Sequence, residues 1–154
     1  MIDTPTLVEV PAQPLAVIHL VVTQAEMMKS FGPAVGEVLA ALKAQGVAPV
    51  GPVVAHHHRN PSDTFDFDVG FPVAAPIQAS GRVVPAQRAA QTFARCVHTG
   101  GYEELDQAWR AFHAWLDAEK IATASELWET YLAGPETGPD GSKYRTELAR
   151  PVVR

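Results

Sequence analysis

Phe65-Asp66-Phe67-Asp68-Val69-Gly70-Phe71 alternates large apolar residues with aspartates and a glycine. A period of two is the signature of a strand with one buried and one polar face, because successive side chains point to opposite sides of a pleated sheet. Phe65, Phe67, Val69 and Phe71 are therefore expected to face a core, and Asp66 and Asp68 to face solvent. Asn60-Pro61-Ser62-Asp63 ahead of the stretch is a turn signal. Gly81 to Val84 behind it is expected to pair back as a hairpin.

Outward from this strand the chain falls into two similar halves. Thr6 to Val10 reads as a short strand closed by Pro11, and Leu15 to Val22 as a strong strand rich in Val, Ile and Leu. The period then changes: Phe31, Val35, Val38, Leu39 and Leu42 fall on one helical face, and Gly46 ends the helix. Pro52 to His58 reads as the next strand. After the alternating stretch the order recurs. Thr92 to His98 is a strand, and Tyr102, Leu105, Trp109, Phe112 and Leu116 make an amphipathic helix. Glu126 to Ala133 is another strand, and Tyr144 to Ala149 is the last, after a loop rich in Gly and Pro. The predicted fold is α+β: a duplicated strand–helix–strand–strand module forming an antiparallel sheet, with two helices on one face and a central pocket between modules. The whole chain, 1–154, is expected to be one domain, with modules at about 12–75 and about 88–152. No residues match between the halves, so the repeat is one of pattern.

The composition fits this picture. A chain of 154 residues with 47% hydrophobic and 19% charged residues is an ordinary globular domain. Its 13 prolines and 11 glycines are spread as punctuation, which favours short strands with turns over a helical bundle. The net charge of −5 and the lack of a basic cluster argue against direct nucleic-acid binding. Cys96 is the single cysteine, so no internal disulfide can form. The N-terminus has neither the basic region nor the apolar run of a signal peptide, and Leu15 to Val22 is too short to span a membrane. A cytoplasmic protein with no membrane association is expected.

Leu127-Trp128-Glu129-Thr130-Tyr131-Leu132 holds the residue that fits its strand least. Leu, Trp, Thr and Tyr suit a half-buried pleated surface, and Glu does not. Alternation places Leu127, Glu129 and Tyr131 on one face. If that face points inward, a carboxylate stands beside a phenol in an apolar setting, where a charge is costly unless paired, hydrogen-bonded or used. Its uses there are to hold a cationic ligand or to act as a general base. If the face is wet, Glu129 is an ordinary surface residue.

Other clusters yield less. In His56-His57-His58 the first and third rings share a strand face, and two imidazoles fall short of a zinc site. His98 and His113 are the other histidines considered as partners, and nothing in the sequence brings them close. No metal and no cofactor is predicted. Gly100-Gly101 lacks the Lys-Ser/Thr of a phosphate-binding loop, and a plain strand-to-helix turn accounts for it. Trp115 lies off the main helical stripe, where it would reach the pocket or an interface.

Three stretches resemble the gyrase-inhibitor-like family, also called the GyrI-like or effector-binding domain. Pro61 to Val73, ending Val69-Gly70-Phe71-Pro72-Val73, is similar to the family's aspartate-containing strand. His98-Thr99-Gly100-Gly101-Tyr102, followed by Ala108-Trp109 and Trp115-Leu116, is similar to its strand–Gly-x-Tyr–helix segment. Glu129-Thr130-Tyr131 through Gly134-Pro135-Glu136, with Thr146-Glu147-Leu148 and Pro151-Val152, is similar to its Glu-x-Tyr strand and closing strand. The resemblance covers roughly Thr6 to Val152. It implies the duplicated module and a central pocket holding the glutamate, here Glu129. The family often has a tyrosine where this chain has His57, which departs from the pattern.

The resemblance implies a stand-alone protein that binds amphipathic, aromatic or cationic small molecules, to sequester them in drug or toxin resistance or to sense them as the effector domains of transcription regulators do. Glu129 would supply charge, and Tyr131, Phe67, Phe71 and Tyr102 aromatic faces, with His57 and Trp115 as further lining. Gyrase binding belongs to the family's namesake, and no residue here carries it over. The alternative is a hydrolase of strained, cyclopropane-bearing electrophiles, with Glu129 as general base and Tyr131 steadying the substrate.

Overall fold

The computed structural model describes residues 1–153. The fold is mixed α+β, with antiparallel strands and two long helices. The chain divides into two compact units, residues 11–90 and residues 1–10 with 91–153.

The first unit contains β2 (Gln13–Thr23), α1 (Gln24–Ala44), β3 (Val54–His57), β4 (Thr64–Pro72) and β5 (Val84–Arg88), with β1 (Thr6–Val10) lying outside it. Its strands run in the order β3-β4-β2-β5. The alternating stretch is the centre of β4: Phe67 lies opposite Leu20 of β2 and His57 of β3, and Val69 opposite Ile18 and Ala55. These residues are buried, and Ala16, Ile18, Phe67 and Val69 have no exposed surface at all. Gly70 is needed for the β2–β4 approach, because a Cβ there would collide with the Ala16 carbonyl. Thr23 starts α1 as a capping box: its hydroxyl accepts from the Glu26 N–H, and the Glu26 carboxylate accepts from the Thr23 N–H. Gly46, at φ +69°, ends it. The buried stripe of α1 is Ala34, Val38 and Leu42, at steps of four, and the ring of Phe31 stacks on Phe67 at 6.3 Å. Leu39, expected in the core, is 41% exposed, because a stripe centred on Ala34 turns it away.

The predicted hairpin after β4 is corrected. Val83 pairs locally with Ser80, and β5 then runs along β2, with Arg88 opposite Gln13 and Val84 opposite Val17. Both edges of β4 are already occupied, by β2 and β3, so β5 must add elsewhere.

The second unit contains β1, β6 (Gln91–Thr99), α2 (Leu105–Ala118), β7 (Leu127–Ala133) and β8 (Arg145–Pro151), in the strand order β1-β6-β8-β7. Ala108, Phe112 and Leu116 of α2 pack on Ala94 and Cys96 of β6 and Leu148 of β8. Trp109, Leu105 and Trp115 flank this cluster as half-buried residues. Tyr102, predicted on the buried face of the helix, instead begins a separate 3₁₀ turn, Tyr102–Glu104, and is 39% exposed. Among the described residues no helix is long and apolar enough to cross a membrane.

Candidate functional site

The geometry around Glu129 follows from strand register in the second unit. Leu148 lies opposite Glu129 on one side and Cys96 on the other, so a row Cys96–Leu148–Glu129 crosses β6, β8 and β7. Cys96 and Leu148 belong to the cluster under α2, so Glu129 points to the same covered face. It is 8% exposed. The next row is His98–Thr146–Tyr131, which puts Tyr131 beside Glu129, as alternation requires.

Two donors converge on the carboxylate. The indole N–H of Trp109 donates to Glu129 Oε2 at 2.7 Å, and the phenol of Tyr131 donates to Oε1 at 2.6 Å. These lengths suit charge-assisted bonds. A carboxylate offers about four lone-pair directions, and these two donors engage two of them. Burial, then the Glu129 charge and the bond to it, then Tyr102, push the Tyr131 phenol well above its ordinary range. Tyr131 is thereby held as a donor at neutral pH.

Aromatic rings surround this pair. Tyr102 stands edge-on to Tyr131 at 5.9 Å and lies 5.0 Å from Tyr144. Gly134 leaves room for it: a Cβ there would meet the Tyr102 hydroxyl at 2.6 Å. Burial, helped by Glu136, Tyr144 and Glu129, raises the Tyr102 phenol too. Its exposure makes it the solvent edge of the cluster. The buried Thr146 hydroxyl, in the row opposite Tyr131, has no hydrogen-bond partner.

The remaining predicted residues lie elsewhere. His57, Phe67 and Phe71 belong to the first unit, and each is buried, at 5%, 0% and 8% exposure. Phe67 is a core residue that stacks with Phe31 at 6.3 Å and with His57 at 5.1 Å. Trp115 is half-buried and packs against the Phe112 cluster of its unit. Two partners went unassigned in the sequence. Trp109 looks like a core tryptophan by its spacing; the available signal was that it lies two helical turns beyond Tyr102, on the same stripe. Tyr144 follows a long loop, and nothing local ties it to Tyr102.

His98 and His113 are engaged in the second unit. His98 is fully buried, with Nδ1 3.1 Å from the N-terminal amine of Met1 and Nε2 3.3 Å from the Gly101 carbonyl. His113 Nε2 lies 2.9 Å from the guanidinium of Arg150. Cys96 is inert: burial, with the charges of Asp3 and Glu147, pushes its thiol up to about 12.

Comparison with known proteins places the chain in a family. The model of the GyrI-like small molecule binding domain matches residues 3–153, and the chain belongs to that family. No curated protein sequence matches the chain. Among solved structures, the isolated EcmrR C-terminal domain superposes with a TM-score of 0.80 at 21% identity, covering 98% of each chain. EcmrR in its complex with DNA superposes at 0.84 and 19% identity over 98% of this chain, which spans 57% of that one. SAV2435 bound to tetraphenylphosphonium superposes at 0.71 and 13% identity, covering 98% of this chain and 94% of that one. A hydrolase encoded by lin2189 from Listeria innocua superposes at 0.66 and 12% identity, covering 97% and 91%. At these identities the likeness is one of fold.

Proposed function

We propose that this GyrI-like small-molecule-binding domain holds an amphipathic compound with a cationic or aromatic head against Glu129. The observation that carries this reading is the buried carboxylate: Trp109 and Tyr131 fix it, Tyr102 stands edge-on to Tyr131, and Tyr144 packs against Tyr102. A negative charge among aromatic faces is what a desolvated lipophilic cation requires, since ring quadrupoles and carboxylate attract the same ligand. A lipophilic cation is also what SAV2435 holds in its solved complex. On this reading the two units are copies of one strand–helix–strand–strand module, about 12–75 and about 88–152, and the second carries the charged residue. The protein would act in the cytoplasm, sequestering a toxic compound or sensing it on behalf of a regulator, without touching nucleic acid itself.

Calorimetry with tetraphenylphosphonium and with neutral triphenylphosphine oxide tests this. At an effective dielectric near 20, opposed charges at contact are worth a few kcal/mol, and each 1.4 kcal/mol is about tenfold in affinity. Glu129→Gln keeps the volume and removes the charge. It should weaken the cation at least about tenfold and leave the neutral compound nearly unchanged. Equal affinities for both ligands, unmoved by the substitution, would take Glu129 out of the site. The alternative, hydrolysis of a cyclopropane-bearing electrophile, would appear as catalytic turnover abolished by the same substitution while the substrate still binds.

A further inference from the structure

In sequence the histidine run offers two imidazoles on one face where a zinc site takes three or four ligands, with His98 and His113 as the partners considered. Strand pairing supplies different ones, all in the first unit. His19 of β2 lies opposite Asp68 of β4, which in turn lies opposite His56 of β3. His58 continues the pairing just beyond β3, its N–H donating to the Asp66 carbonyl at 2.9 Å. His19, Asp68 and His58 therefore project from three adjacent chain segments onto the polar face of the sheet, opposite the apolar core of Phe67 and Val69.

There the two imidazoles share one carboxylate. His19 Nδ1 lies 2.8 Å from Asp68 Oδ1, and His58 Nε2 lies 3.1 Å from Asp68 Oδ2. One ligand atom from each residue lies within 4.8 Å of the other two. The ring centroids of His19 and His58 are 5.4 Å apart. Asp66 lies on the far side of His19, its Oδ1 3.2 Å from Nε2. This is a close contact and not a hydrogen bond, and it leaves Nδ1 as the ring nitrogen that faces Asp68. The His56 ring lies 4.6 Å from that of His58. The histidine side chains are open to water, 51% exposed for His19 and 38% for His58, while Asp68 is 17% exposed and anchored. An ion can reach the site, and water can complete its coordination.

We propose that His19, His58 and Asp68 form a binding site for a divalent transition-metal ion, zinc first among them. Two imidazoles and one carboxylate suit zinc, cobalt or nickel; magnesium and calcium prefer oxygen-only shells. The ion would sit where the two rings and Asp68 now meet. It would tie together segments far apart in sequence, β2, β4 and the end of β3. This site is independent of the Glu129 reading.

The test uses the full chain without a polyhistidine tag, stripped by chelator and titrated with Zn²⁺ by calorimetry and with Co²⁺ by visible absorption. The expected result is one ion per chain at micromolar concentration, with Co²⁺ ligand-field bands of nitrogen–oxygen coordination. His19→Ala and His58→Ala should each lower affinity at least about tenfold, since each removes one ligand. Zn²⁺ should raise the melting temperature of the wild type and leave that of the His19→Ala/His58→Ala double variant unmoved. Because both rings are exposed, the variants should keep their circular dichroism spectra. Glu129→Gln should bind zinc like the wild type. Failure to bind one ion at micromolar concentration, or binding that survives in the folded double variant, would overturn the site.

Discussion

Residues 11–90 and residues 1–10 with 91–153 each combine four antiparallel strands with one long helix and bury different chemistry. In the first unit the rows beneath the helix are Leu20–Phe67–His57 and Ile18–Val69–Ala55. In the second they are His98–Thr146–Tyr131 and Cys96–Leu148–Glu129. Of the buried polar residues His57, His98, Glu129 and Thr146, only His57 lies in the first unit. An interior with polar groups must satisfy each of them or leave an acceptor and donor for something else. The first unit therefore reads as a scaffold with an apolar interior, and its polar chemistry is on the opposite face. The second accepts polar groups into its interior.

The largest expected effect tests whether both interiors are equally packed. Phe67 and Phe112 have no exposed surface and occupy the centres of the two units. Phe67→Ala and Phe112→Ala should each cost about 3–5 kcal/mol by leaving a cavity. Urea unfolding monitored by circular dichroism measures both. A loss below about 1 kcal/mol at Phe112 would show that the second unit is loosely packed under α2, and the comparison would then be one of rigidity as well as chemistry.

A smaller effect is expected where the polar interior of the second unit is trimmed. Tyr131→Phe and Trp109→Phe each remove one donor from Glu129 while keeping most of the ring volume, and leaving a buried acceptor short of a partner costs about 1–3 kcal/mol. Tetraphenylphosphonium affinity should not fall in parallel, since the carboxylate charge is retained. Losses under a few tenths of a kcal/mol would mean that water replaces the donors and that the pair is not preorganised. The phenol also carries a pH signature. Its folded-state pKa is raised, so the stability linked to it is complete below the ordinary value of about 10 and is lost as pH rises beyond it. Wild-type stability should therefore fall above about pH 10 more steeply than that of Tyr131→Phe.

Much of this contrast is legible in sequence, because burial and alternation are local. Phe65 to Phe71 and Glu129 with Tyr131 each declare a strand and its two faces in a few residues. Pairing is not local. Nothing in Val84 to Arg88 says that it lies along β2, and nothing in Thr6 to Val10 says that it joins β6 across the chain, with Val8 opposite Phe93. The same gap hid the partners of the functional groups. Trp109 was legible as helical and apolar, but its N–H meets Glu129 only once α2 lies over β7 and β8. His19 and Asp68 each read as the polar side of a strand, and the antiparallel register of β2 on β4 sets them face to face.

The smallest expected effect separates the units at their helix starts. In the first, Thr23 closes a capping box on α1, satisfying N–H groups that the helix itself leaves open. In the second, α2 has no side-chain cap and grows out of the Tyr102–Glu104 turn, whose shape is set by Gly100 at φ +140°. One start rests on a hydroxyl and the other on backbone geometry. Thr23→Ala should therefore cost about 1 kcal/mol, and Thr23→Ser should restore most of it. The reciprocal bond from the Thr23 N–H, followed by the Thr23 side chain, lowers the Glu26 pKa below its ordinary value. A lowered folded-state pKa gives stability that is present above the unfolded value and lost as pH falls through the folded one. The difference between wild type and Thr23→Ala should accordingly shrink as pH is taken below about 4. Urea unfolding of the three proteins at neutral and acid pH measures this. If Thr23→Ala is neutral, water caps α1 as well as the hydroxyl does, and the two helix starts are equivalent in energy despite their different construction.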